Sequence, residues 1–567
     1  MNIRVSFLCC VVGVALSSAG CGNDDVAPDR TASDATTDLA SADASDGLGD
    51  LQSSSDTASD TASDVDASDS LVSTYEWCEN PTLFAYDPRI GDDWQAFPDD
   101  YFTAASDTSP TGIVLDLSEE HAPWTHDITR ILRPNFHYGS EISGFALNSV
   151  VVLRFTGPVE QPPSGETSIE SDALILVEIG EESTRIPFEA YLIEEDQEIV
   201  LSPLRPLNPG ALHAVIVTDE YQTSDGGCIS PGPVLRTLLV GEDPGLGMER
   251  VATEIQASLA ALELEPNAVS AISVFTTHDD RSIFQTIAAT IAETDQQWTT
   301  APTCAETAEG IRCDGVLASR DYRTGVMISS VSEGTPWDLP VVFWIPPDVT
   351  LPAPTILIGH GINDSREFGK VAARIFGPEG YIVVSVDAME HGDHPSNDPE
   401  DNSIDALNFL ALDLEAFAID TGRLRANFNQ SNLDRLHLTA MLSQHPDIDG
   451  DEQPDIDTDH IAYFGVSLGA MMGPGLLAYT DVYDAIIFTV GGGGLMNFAT
   501  GSEMVAPLMP ILMTQIGDDD DLERMLALAA PFVDAADPAT FAPLVLNHRV
   551  VVGERVPDLL FQAAVYD

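Results

Sequence analysis

At 567 residues the chain is long enough for two or three domains with ample core. Its formal charge of −69 at pH 7 excludes nucleic acid and anionic headgroups as electrostatic partners. Lys370 is the one lysine, so arginine carries nearly all the positive charge; salt adaptation and plain solubility would each explain such a surface.

Met1 to Cys21 reads as a secretion signal: Arg4 is the positive start, Val5 to Leu16 the apolar run, and Ser17 to Gly20 are small. The run is too short for a permanent bilayer span. Ser18-Ala19-Gly20-Cys21 resembles a bacterial lipobox, with Ser18 where an aliphatic residue is usual. The resemblance implies that Cys21 is lipidated and becomes the N-terminus, anchoring the protein to a membrane. Gly22 after it, rather than aspartate, implies the outer membrane or cell surface of a double-membrane bacterium. Ordinary signal-peptide cleavage and secretion is the alternative. Residues 22–75 are Asp, Ser, Ala and Thr with repeats such as Asp56-Thr57-Ala58-Ser59-Asp60. They cannot bury enough apolar surface to offset ordering entropy, which predicts a disordered, charge-extended tether.

Residues 76–300 hold short β-rich runs split by Pro and Gly. Ile113–Leu117, Val150–Phe155, Ala173–Val177 and Leu212–Thr218 read as strands of an all-β sandwich. One helix is predicted at 248–263, where Val251, Ile255, Leu259 and Leu262 share a face. Cys78, Cys228, Cys304 and Cys313 follow Cys21; an even count in an exported chain suggests disulfides, with three connectivities open.

Phe97-Pro98-Asp99-Asp100-Tyr101-Phe102, Thr111-Gly112, Gly144-Phe145-Ala146-Leu147-Asn148-Ser149 and Phe275-Thr276-Thr277 resemble the N-terminal domain of bacterial virulence-factor lipases. That family joins an Ig-like sandwich to an α/β-hydrolase domain, so the resemblance implies both. It continues through Arg425-Ala426-Asn427-Phe428-Asn429-Gln430.

From 315 to 567 the pattern becomes that of a doubly wound, mostly parallel sheet. Val326–Val331 and Pro340–Ile345 read as its opening strands. Thr355–Ile358 and Ile382–Val386 are apolar runs suited to strands covered on both faces. Ala485–Val490 and Leu559–Val565 read as later strands, and Leu433, Leu436 and Ala440 fall at helical spacing. Between them, Gly465-Val466-Ser467-Leu468-Gly469 matches the G-x-S-x-G nucleophile elbow. A serine at so sharp a strand-to-helix turn needs glycines on both sides, and the geometry would put the Leu468 N–H where it can hold an oxyanion. Pro474 should kink that helix or end it early.

By resemblance to α/β-hydrolases, His360-Gly361 precedes the second oxyanion donor, the N–H of Ile362, and His360 orients the loop. The fold's order of Ser, then acid, then His makes Asp567 the candidate acid. No histidine follows Asp567, and His548 precedes the last strand, so a truncated hydrolase domain is expected, short of its catalytic base. A Val-Pro and then a histidine are expected downstream.

Asp447, Asp449, Asp451, Asp455 and Asp457 resemble a calcium loop, although Glu452 stands where such loops have glycine; in so acidic a chain, a plain aspartate-rich loop is the alternative. His391 and His394, close to Asp387 and Asp393, read as a loop past a strand end rather than a zinc site. The chemistry that follows is a serine carboxylic-ester hydrolase taking an ester or lipid substrate, with no other cofactor required. A non-catalytic surface protein built on the same scaffold, or a peptidase of the same fold, is the alternative.

Overall fold

The computed structural model describes residues 72 and 75–563, leaving out 80, 90–95, 123–131, 196, 243–244, 246, 399–403, 414–415, 417, 497–512, 514–515, 517–518 and 552–554. The predicted signal, Cys21, nearly all of the tether and Asp567 lie outside the described residues.

Period-2 and fully apolar runs between residues 150 and 276 build two antiparallel sheets. Val151–Arg154, Glu198–Pro203 and Phe188–Ile193 pair in that spatial order. Val269–Thr276, Leu212–Thr218, Leu174–Ile179 and Thr184–Arg185 form the other sheet. Val269–Thr276 is buried at every residue, and Glu249–Leu262 lies against it through Val251, Ile255 and Leu259. With Pro233–Leu239 as a further helix, this half mixes sheets and helices and is not all-β. Arg281–Glu293 corrects the predicted boundary, because its buried Phe284, Ile287 and Ile291 join the core of the second half. Cysteines pair as Cys78–Cys228 and Cys304–Cys313, the latter directly opposite each other in an antiparallel ladder.

The Phe97–Phe102 stretch contributes buried acid rather than apolar packing alone. Asp99 accepts hydrogen bonds from the Tyr101 N–H (2.9 Å) and the Tyr86 hydroxyl (3.0 Å). Asp100 accepts from the Thr276 N–H and hydroxyl (2.9 and 2.6 Å) and from Arg250 (3.2 Å). Glu254 adjoins Asp100 and pairs with Arg250 at 2.8 Å. Burial pushes Asp99 up to about 7; burial and then the Asp100 charge push Glu254 up to about 9. Both folded values exceed the unfolded ones. The stability these groups contribute is therefore present below about pH 4 and is lost as pH rises through about 7 and about 9. We expect the melting temperature to fall between pH 5 and pH 9, and Glu254→Gln to flatten the alkaline part of that fall. Scanning calorimetry of both proteins across this range is the check; identical slopes would exclude a part for Glu254.

Among the described residues the second half, apart from a small separate ladder of Leu412–Asp413 and Ala418–Ile419, is built on an eight-stranded sheet. Its strands are β1 (Trp298–Thr307), β2 (Gly310–Asp321), β3 (Thr335–Ile345), β4 (Ala353–Gly359), β5 (Ile382–Val386), β6 (Ile456–Val466), β7 (Tyr483–Thr489) and β8 (Asp558–Gln562). The spatial order is β1-β2-β3-β5-β4-β6-β7-β8; β1, β2, β3 and β5 pair antiparallel, and β5, β4, β6, β7 and β8 run parallel. The β5-before-β4 reversal and the parallel run carrying the elbow strand give the doubly wound α/β-hydrolase arrangement. Its start corrects two expectations. The sheet begins at Trp298, not after 315, and Val326–Val331 is not a strand: Met327 and Ile328 are buried there as core side chains, while β2 supplies the pairing.

Helices α1 (Gly369–Phe376), α2 (Thr421–Gln444), α3 (Leu468–Leu477) and α5 (Pro538–Leu546) pack around the sheet, and α4 (Asp519–Val533) packs on α2. Helix α2 is buried on nearly all sides, which is why its sequence shows little amphipathic stripe. Helix α4 packs its Met525, Leu528 and Phe532 into the core of the N-terminal half, and the Phe532 ring stacks on Phe136. Among the described residues no helix is long and apolar enough to cross a membrane.

Candidate functional site

β6 ends in Gly465-Val466, and Ser467 turns the chain into α3 with φ 50° and ψ −116°. A non-glycine residue there carries strain on the order of 1–3 kcal/mol, which only tight surroundings can hold in place. The surroundings are backbone. A Cβ on Gly465 would sit 2.6 Å from the Gly469 carbonyl oxygen, and one on Gly469 would sit 2.1 Å from the Gly359 carbonyl oxygen. The buried Tyr463 hydroxyl donates to the Gly469 carbonyl at 2.6 Å, and the Gly469 N–H donates to the His360 carbonyl at 2.9 Å. The Ser467 N–H donates to the Thr489 carbonyl at 2.9 Å, tying the corner to the end of β7.

These bonds lay the loop after β4 against the elbow; a Cβ on Gly361 would stand 3.8 Å from the Ser467 Cβ. Among the described residues, neither the Leu468 N–H nor the Ile362 N–H is used in a hydrogen bond. Leu468 opens α3, so its N–H has no intrahelical acceptor and lies at the positive end of the helix. Ser467, Gly361, Ile362 and Leu468 are thus brought together.

His360 is buried with both ring nitrogens engaged: Nδ1 donates to the Gly361 carbonyl (2.8 Å), and Nε2 accepts the Ala388 N–H (2.9 Å). Burial first, then the neighbouring His391 and Arg435, push it down to about 3, so it is neutral and holds the loop. His391, which the sequence left as a bare loop residue, sets its ring between the Met389 and Ile362 carbonyls. Arg366 pairs with buried Asp387, whose carboxylate also accepts the Arg366 N–H (2.6 Å), and so fastens the loop after β4 to that after β5. Among the described residues no imidazole is hydrogen-bonded to Ser467 Oγ. His548 is exposed. Its neighbour Arg549 reaches the Thr480 carbonyl at the start of β7, about 20 Å from the Ser467 end of a seven-residue strand at ~3.3 Å per residue.

β8 runs parallel to β7 with Gln562 opposite Thr489, so it leaves the sheet on the edge where Ser467 stands; Asp567, beyond it, lies outside the described residues. The calcium expectation narrows. Asp447, Asp449 and Asp455 converge within 4.8 Å, but Asp451 and Asp457 do not join them. The three carboxylates already accept loop amides: Asp447 from Gly450 (2.7 Å), Asp449 from Asp451 (3.1 Å) and Asp455 from Ile448 (2.7 Å). Their alternation thus serves the turn itself. His394 faces Ser396 and Asp434, and neither it nor His391 belongs to a metal-holding group among the described residues.

Two of the stretches that resembled lipase motifs engage buried aspartates. Arg425 donates to Asp280 at 2.6 Å, and His278 and Leu147 both donate to Asp534 at 2.8 Å, all of it buried. They join the two halves of the molecule rather than supply reacting groups. Asp534 and Asp537 themselves carried no sequence signal, because their partners are distant in sequence, 256 and 387 positions for His278 and Leu147 on Asp534, and 43 and 42 for Gly494 and Leu495 on Asp537.

No family model and no curated protein matches the chain, and membership among virulence-factor lipases is not shown. Solved structures that match include a putative acetyl xylan esterase from Bacteroides fragilis, at 15% identity and TM-score 0.25, over 37% of this chain and 52% of that one. The match thus spans about half the length of that protein. Acetyl xylan esterases from Paenibacillus sp. R4 (11% identity, TM-score 0.30) and Thermoanaerobacterium sp. (12%, 0.31) are matched over 51% and 50% of this chain and 90% and 86% of theirs. Likenesses this distant do not bear on the chemistry, which stands on the geometry of the elbow.

Proposed function

We propose that this chain is a serine hydrolase of carboxylic esters, acting through an acyl-serine intermediate. One observation carries the reading: a serine strained at a strand-to-helix corner, with two unused amide hydrogens beside it. Ser467 attacks the ester carbonyl, the Ile362 and Leu468 N–H groups hold the oxyanion, and collapse expels the alcohol and leaves the acyl group on Ser467 Oγ. Water then releases the acid. The base that takes the Ser467 proton is supplied from outside the described residues, oriented by Asp567, whose strand runs toward the Ser467 edge. In the same reading the N-terminal half corresponds to the N-terminal domain of a virulence-factor lipase, and Cys21 anchors the protein through lipid at the outer surface.

A scaffold without chemistry is favoured by one fact, that no described imidazole touches Ser467. A fluorophosphonate probe on the full-length protein separates the two. We expect covalent labelling that peptide mapping places on Ser467 and that Ser467→Ala loses; an unlabelled wild type would favour the scaffold.

A further inference from the structure

The loop after β7 borders the elbow on the side opposite the Gly361 loop. A Cβ on Gly491 would lie 2.6 Å from the Ala470 Cβ in the first turn of α3, and Leu495 is buried in one apolar cluster with Leu468 and Met472. Among the described residues, the Asp537 side chain is the one that hydrogen-bonds to this loop's main-chain amides. The two carboxylate oxygens of Asp537 accept the N–H groups of Gly494 (2.8 Å) and Leu495 (2.5 Å). The same carboxylate caps α5 by accepting the Ala539 N–H at 2.8 Å.

Asp537 is in turn held from the N-terminal half. Its N–H donates to the Asp534 carbonyl at 3.0 Å, closing the short 3-10 turn Asp534–Ala536. The Asp534 carboxylate is the point where the other half attaches: it accepts the Leu147 N–H, His278 Nε2 and the Asn148 side-chain amide, each at 2.8 Å. His278 Nδ1 accepts the Asp280 N–H at 3.3 Å, so its proton sits on Nε2 and points at Asp534. His278, Asp534 and Asp537 are all at least 97% buried. Burial alone would raise Asp534, but the His278 hydrogen bond and the amide donors outweigh it and keep the carboxylate ionised. A fixed charge at this turn, with these six N–H groups pointed at two carboxylates, makes the position discrete rather than adjustable.

We infer that His278, Asp534 and Asp537 form a strut by which the N-terminal half positions the Gly491–Leu495 loop, and through Leu495 the Leu468 donor of the reacting site. Asp534 and Asp537 are positioning residues. The N-terminal half is then a working part of the hydrolase rather than a module attached to it. The effect on turnover rests on the esterase reading above; the effect on the loop does not.

The test uses Asp537→Asn, Asp534→Asn and His278→Gln in the full-length protein, with amide hydrogen exchange and ester kinetics. We expect exchange at Gly494 and Leu495 to rise at least ~10-fold in all three, while amides of β4 and β6 keep the wild-type rate. On a short-chain ester, kcat should fall ~10-fold with KM nearly unchanged, since only the transition state feels the donor. Should any of the three be insoluble, Asn148→Ala removes one Asp534 contact and should give a smaller rise at the same two amides. Unchanged exchange at Gly494 and Leu495 in the His278 and Asp534 variants, or a uniform rise over all strands, overturns the strut. A wild type that neither labels nor hydrolyses esters overturns the esterase reading while the exchange result still decides the strut.

Discussion

Gly469→Ala should cost the protein its elbow. A methyl group at this position would lie 2.1, 2.3 and 2.7 Å from the carbonyl oxygen, carbonyl carbon and Cα of Gly359. All three are main-chain atoms of a central strand, so nothing flexible can yield. Overpacking of a core by one methyl typically costs about 1–3 kcal/mol, and contacts this short on backbone put the cost at or above the top of that range. Relief would come from pushing β4 and α3 apart, which breaks the bond from the Gly469 N–H to the His360 carbonyl and separates the Ile362 and Leu468 donors. Loss of one such donor is worth about 10²–10³ in turnover. We therefore expect ester turnover to fall by at least ~10³ and the urea midpoint to drop clearly. Gly492→Ala is the control: it lies in the neighbouring loop with nothing within 4 Å of its added Cβ, and should be close to neutral. Equal behaviour of the two variants would mean that the elbow is not built as described.

Arg524→Met should loosen α4 from the N-terminal half. Arg524 is buried and donates to both oxygens of Glu198 (3.0 and 2.7 Å), to Glu194 (2.8 Å) and to Asp521 (2.9 Å). Glu198 has no exposed surface, and its remaining cation, Arg154, stands at 3.7 Å. Burial already raises the Glu198 carboxyl despite Arg524, and removing the guanidinium raises it further. Breaking one side of a buried ion pair costs about 3–5 kcal/mol, more than replacing both sides does. The sign with pH follows. A protonated Glu198 tolerates the loss and an ionised one does not, so the variant's deficit should grow as pH rises from 5 to 8. Denaturant unfolding at both values measures it, and Glu198→Gln added to Arg524→Met should recover much of the loss. A deficit independent of pH would assign the cost to lost packing of the arginine stem.

Much of the second half was legible because local chemistry dictates it. Parallel strands covered on both faces must be apolar throughout, so β5 was read to its ends, and β4 and β7 to within two residues. The Gly-x-Ser-x-Gly spacing announced the corner because no other residues fit there, and Val251, Ile255 and Leu259 announced their helix by period alone. β2 escaped notice because its alternation of buried and exposed residues is written in polar and small residues, while the apolar Val326–Val331 stretch supplies core side chains and makes only a local bridge, Met327 to Thr324, among the described residues. Helix α2 hid its stripe by being buried almost all round.

By itself the sequence determined the elements whose reasons are local: a glycine-flanked serine corner, apolar central strands, an acidic chain with cysteines for two bridges. Tertiary structure alone decided how those bridges pair, that His360 is neutral and occupied, that three of five aspartates converge, and that Asp534 and Asp537 connect the N-terminal half to the loop beside Ser467. The physical reason is range. Propensity and periodicity act over a few residues, whereas a buried charge is fixed by partners such as His278 and Asp534, 256 positions apart, that only the folded chain brings within hydrogen-bonding distance.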